Sequence, residues 1–231
     1  MLAALLLAHA DVAVAVGAAA TLFLLHRRDR ARMRAQRGEF FARCLHLFES
    51  YRVTQAGLAY PVMSAKYRGY AVRLEPFVDD IAWRKIPSLW LKVTVLTPNP
   101  CRGVFDFLVR PRGVEFYSPS SELPHTLRVP EEWPQDALLS TDDPEGMPAI
   151  ADIAPHMSHF SDPQMKELLI TPRGTRLVRQ IWQAERSHYL VLRQARFAGR
   201  TVEPSILESL LDAAIEVSRS LAEPELKLRV A

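Results

Sequence analysis

The residues best suited to chemistry form one short run, Asp152-Ile-Ala-Pro-His156-Met-Ser-His159-Phe-Ser-Asp162. Two imidazoles three positions apart share one face of a helix, and a flanking carboxylate would complete a zinc-type ligand set. Pro155 interrupts a regular helix at the first imidazole, and neither an HExxH pattern nor a cysteine pair accompanies the run. The competing and more ordinary reading is two surface histidines near a helix end. Thr141-Asp142-Asp143-Pro144-Glu145-Gly146 offers oxygens to a hard cation, but Asp before Pro is equally a way to open a turn.

Other chemistry has less support. Arg173, Arg176 and Arg179 recur every three residues, with Arg186, Arg193, Arg196 and Arg200 beyond and Trp182, His188 and Tyr189 interleaved. Phosphate contacts with ring stacking would want that pattern. The neighbouring acidic block can pair with these arginines instead, and the domain is not basic, so the sequence argues against nucleic acid. Cys44 lies among apolar residues, and Cys101 precedes Arg102, whose charge would lower its pKa modestly. Two cysteines in a domain of this size fit reduced thiols better than a disulfide framework. There is no GxSxG, and the nine glycines are isolated, with no GxGxxG and no GxxxxGK[ST]. No cofactor is called for.

Position is the clearest signal. Residues 1–37 carry six arginines against Asp11 and Asp29, a net +4 that leaves −1 for residues 38–231 out of the total of +3. Leu2 to Leu25 is almost wholly apolar and long enough as a helix to cross a bilayer, and Arg27, Arg28, Arg30, Arg32, Arg34 and Arg37 follow at once. The positive-inside bias then places the N-terminus outside and the rest of the chain in the cytoplasm. The arginines suit anionic lipid headgroups. Asp11 within the apolar run needs a partner or an interfacial depth. Together with Ala13, Gly17 and Thr21, which repeat every four residues, it marks a contact for a second membrane helix.

Behind this segment, Phe40, Phe41, Cys44, Leu45 and Phe48 fall on one helical face. Met63 to Leu74 predicts a hairpin turning at Arg68-Gly69, and Leu89–Leu96 and Val104–Val109 are the clearest strands, each bounded by prolines. Short strands near 114–117, 126–129 and 136–139 would follow. From about residue 147 the spacing predicts helices over Pro148–Met157, Pro163–Leu169, Arg173–Glu185 and Pro204–Leu221, with a strand over Ser187–Phe197. Charge comes in blocks: +5 over 38–114, −9 over 115–162, +6 over 163–202 and −3 over 203–231.

The expected architecture is α+β. A single transmembrane helix (1–26) precedes a basic collar and amphipathic helix (27–50), a β-rich part (51–146) and a helix-rich α/β part (147–231). The 24 arginines against five lysines and the abundant alanine suggest a GC-rich bacterium. The expected function is a single-pass accessory, assembly or scaffolding protein of a bacterial inner membrane. Its cytoplasmic domain would bind another membrane or cytoplasmic protein without catalysis. The alternative is a membrane-associated metal-dependent hydrolase using His156, His159 and nearby carboxylates.

Overall fold

The computed structural model describes residues 2–79, 86–192 and 195–230, with side chains for 16–79, 86–191 and 195–222. Among the described residues, nine strands make one antiparallel sheet: β1 (Ser50–Thr54), β2 (Val62–Tyr67), β3 (Tyr70–Asp79), β4 (Ser88–Val95), β5 (Phe105–Val109), β6 (His125–Leu127), β7 (Ala137–Thr141), β8 (Met165–Thr171) and β9 (Gly174–Gln183). Their spatial order is β1-β2-β3-β4-β9-β8-β5-β7-β6. The β2–β3 hairpin turns at Arg68 and Gly69, whose φ values of 47° and 83° are what a two-residue turn matched to strand twist requires. β8 and β9 form a second hairpin, in which Thr171 faces Gly174.

Side chains alternate across the sheet. Leu89, Leu91, Val93, Phe105, Phe107, Leu168, Ile170 and Leu177 are buried in the main core. α4 (Pro204–Val230) covers that face with Leu207, Leu210, Leu211, Ala214, Val217 and Leu221, held at helical spacing after a proline at its first position. Phe40 and Phe41, just before a 3₁₀ segment (Ala42–Leu47), and Cys44 within it close one end of the core. On the opposite face, Trp90 and Val178 pack with Tyr117 and Phe77 in a smaller cluster.

This overturns the expected fold class. The second half is not helix-rich: Pro163–Leu169 and Arg173–Glu185 lie largely in β8 and β9, which sit between β4 and β5 at the centre of the sheet. β9 is covered on both faces, Leu177 on one and Val178 on the other. Its apolar residues therefore do not alternate with polar ones, and the run imitates a helical stripe. The strand expected over Ser187–Phe197 is not found among the described residues either, since α3 (Arg186–Leu192) occupies its first part. The segment near 114–117 is likewise not a strand. Before the short helix α2 (Ile150–Ile153) runs into a 3₁₀ segment, Ala154–Ser161, the chain is irregular at Pro148 and Ala149.

The expected transmembrane helix is also corrected. α1 (Leu2–Gly38) is one continuous helix, but among the described residues no helix is long and apolar enough to cross a membrane. Val16 to Leu25, the part of its apolar run whose side chains are described, stands exposed. The arginines begin two residues later. The single-pass inner-membrane placement, with the N-terminus outside, is therefore not supported. Asp11 and Ala13 lie outside the residues whose side chains are described.

Candidate functional site

Every described residue of α1 from Val16 to Arg32 is exposed. Leu22, Phe23, Leu24 and Leu25 are consecutive, and at 100° per residue they are apolar on all sides of the helix. The arginines follow along the same rod. Arg27 stacks over Phe23 at 5.9 Å, while the last two are tied to the domain, Arg34 donating to the Gln55 carbonyl and Arg37 to that of Leu58. Arg28, Arg30 and Arg32 stand exposed on the rod. Gly17 has open space around it, and the Thr21 hydroxyl donates to its carbonyl at 2.8 Å.

The predicted histidine pair does come together, with a different carboxylate. His156 and His159 belong to the 3₁₀ segment Ala154–Ser161, where residues three apart eclipse one another. Their rings accordingly stack with centroids 6.3 Å apart and planes 11° from parallel. Glu216 of α4 approaches from the other side, its Oε2 3.8 Å from His159 Nε2. His156 Nε2 lies 2.7 Å from Ser220 Oγ. Burial, followed by the weaker opposing pull of Glu216, lowers the pKa of His156, so the ring is held neutral. Asp162 is not part of this group: it accepts from Arg179 Nε at 2.9 Å and from the Gln164 backbone N–H at 2.8 Å. Asp152 joins neither histidine in it.

Sequence reasoning missed a buried acidic cluster on the opposite face of the sheet. Asp106 of β5 and Glu167 of β8 are fully buried beneath the segment that carries Tyr117, Ser118 and Ser120. Ser118 donates to Asp106 Oδ2 at 2.9 Å, and Ser118 and Ser120 share a 2.7 Å hydrogen bond. Arg176 of β9 donates from Nε and Nη2 to Glu167 Oε2, and from Nη2 to the Tyr117 carbonyl. Asp106 Oδ1, Glu167 Oε1 and Ser140 Oγ are buried without a hydrogen-bond partner among the described residues. Burial, then the neighbouring Glu167, pushes Asp106 up to about 8. Glu167 is raised too, by burial, against the pull of Arg176. Arg176 binds Glu167 directly, so Glu167 keeps the charge and Asp106 the proton. Nothing but the alternation of β5 and β8 could have signalled this pair in the sequence.

Beside it, Lys166 is the extra residue where the β8–β9 register shifts. Its ammonium bonds Glu115 at 2.9 Å with both side chains buried, and donates to the carbonyls of Val109 and Arg110. The repeating arginines are thus divided: Arg176 and Arg179 pair with Glu167 and Asp162, and Arg193 lies outside the described residues. Neither thiol is activated. Burial raises Cys44 to about 11, and burial with Asp142 raises Cys101, reversing the expected effect of Arg102. In the acidic loop, Asp142 accepts from the Val104 N–H and Asp143 from that of Glu145, so both hold the backbone of the turn.

No protein-family model and no curated protein matches the chain. Among solved structures, it resembles a crystal structure of the mycobacterial trehalose monomycolate transport factor A, with 10% identity and a TM-score of 0.41 over 83% of this chain and 93% of that one. A likeness of that degree transfers no residue and no activity.

Proposed function

We propose that the chain is a non-catalytic accessory protein that docks on an anionic phospholipid surface through α1 and offers its sheet domain to a protein partner. The observation that carries the reading is the exposed rod itself. Val16 to Leu25, apolar but for Thr21 and exposed throughout, lead directly into the arginine collar. Apolar side chains entering an interface beside guanidinium groups at headgroup level combine two favourable contributions. Gly17 and Thr21, on the small-residue stripe, leave room for a partner helix to approach α1. The domain's segregated charge blocks suit a protein partner of patterned charge.

Vesicle co-sedimentation tests the lipid contact. The protein is expected to pellet with phosphatidylglycerol-containing vesicles, less so with pure phosphatidylcholine, and to be released by salt. Replacing Arg27, Arg28, Arg30 and Arg32 with Ala removes roughly 1 kcal/mol each, so partitioning should fall about 10²–10³-fold. Equal binding to neutral and anionic vesicles, or an unaltered fourfold variant, would overturn the reading.

A further inference from the structure

Three side chains from two elements converge on one spot. His156 and His159 from the 3₁₀ segment and Glu216 from α4 each offer a ligand atom within 4.8 Å of the other two. We propose that they bind one divalent transition-metal ion of the zinc class, with at least one coordination position left open. Two imidazole nitrogens and one carboxylate oxygen suit a borderline ion. They are a poor set for Ca²⁺ or Mg²⁺, which take six or more ligands, mostly oxygens.

The surroundings are those of a ligand set. Tetrahedral bonds of about 2.0–2.1 Å hold ligand atoms roughly 3.3 Å apart. The 3.8 Å gap between Glu216 Oε2 and His159 Nε2 is too long for a hydrogen bond and close to that spacing. Glu216 is 66% exposed and His159 32%, so both can adjust to the ion without disturbing the core. His156 is oriented from behind. Ser220 donates its one proton to the Val217 carbonyl at 2.9 Å, so it accepts from His156 Nε2–H and leaves the Nδ1 lone pair available. A ligating imidazole held by its second nitrogen is the usual outer arrangement of a metal site.

His159 also lines a cavity of about 400 Å³ together with Ser158, Ser161, Asp162 and Arg179. One ligand of the set therefore borders a space, part polar and part apolar, with room for water or a small oxygen-donor ligand. An ion here would tie the 3₁₀ segment to α4. The proposal is independent of the lipid contact, because metal titration and vesicle binding have separate readouts.

The test uses the full chain with any affinity tag removed. Zn²⁺ is titrated against a competing chromophoric chelator, and Co²⁺ is followed by its visible absorption. One Zn²⁺ per chain is expected, with Co²⁺ bands of a four- or five-coordinate site and no displacement by millimolar Ca²⁺. His159→Gln and Glu216→Gln should each weaken Zn²⁺ at least about tenfold, a scale that even outer partners reach. Thermal unfolding of the metal-free variants should match the parent. Substoichiometric Zn²⁺ in the parent, or variants that bind as tightly, would overturn the proposal.

Discussion

Replacing Asp106 with Asn should change how stability depends on pH. Asp106 carries a proton in the fold, with its pKa pushed up to about 8 by burial and by Glu167, from the ordinary 3.8 of an aspartate in the unfolded chain. Between these limits the folded state binds about one proton more than the unfolded state, so stability falls as pH rises. This contribution is fully present below about pH 4, and it is lost progressively up to about pH 8. One proton corresponds to about 1.4 kcal/mol per pH unit, hence on the order of 3 kcal/mol between pH 5 and pH 7. Asn keeps an oxygen for the Ser118 hydroxyl and cannot titrate. Arg176 stays bonded to Glu167 in the variant, so the part of the slope that Asp106 supplies disappears. In a domain of this size 1 kcal/mol is about 2–4 °C. The variant's melting temperature should therefore gain roughly 5–10 °C on the parent's between pH 5 and pH 7, as followed by circular dichroism. Parallel pH profiles would show that the buried pair does not share a proton, and the argument from its missing hydrogen bonds would fail.

Three further outcomes can be checked by unfolding and by thiol chemistry. Lys166→Met leaves the buried Glu115 carboxylate without its ammonium and should cost about 3–5 kcal/mol in urea unfolding, whereas adding Glu115→Leu should recover most of it. Gly174→Ala would set a Cβ 2.2 Å from the Val95 carbonyl oxygen, forcing the β8–β9 hairpin away from the end of β4; a loss of about 1–3 kcal/mol is expected on melting. Both thiols should react slowly with a disulfide reagent at pH 7 and completely in denaturant, because burial raises each of them. Rapid native labelling of Cys101 would instead mean that Arg102 dominates it.

What could be read without coordinates depended on how local the determining interaction was. The hairpin at Arg68-Gly69 was legible because turn residue and flanking alternation occupy one stretch of a dozen residues, and β4 was legible because prolines bound it. β9 was not, since the environment that covers it is made by β4 and Tyr117, both distant in sequence, as well as by its hairpin partner β8, and two-sided burial erases the period of two that marks a strand. The histidines divide along the same line. His156 and His159 announce themselves by spacing, but Glu216, the carboxylate that reaches them, arrives with α4 from far along the chain, while the nearby Asp162 that spacing offered is taken by Arg179. Asp106 and Glu167 are the extreme case. Each looks like the solvent-facing residue of a half-exposed strand, and only the segment around Tyr117 folding over that face turns two ordinary carboxylates into a buried pair. A polar residue in an alternating strand reports which face it occupies. Whether that face is wet is decided by whatever closes over it, and at Asp106 that decision sets the proton.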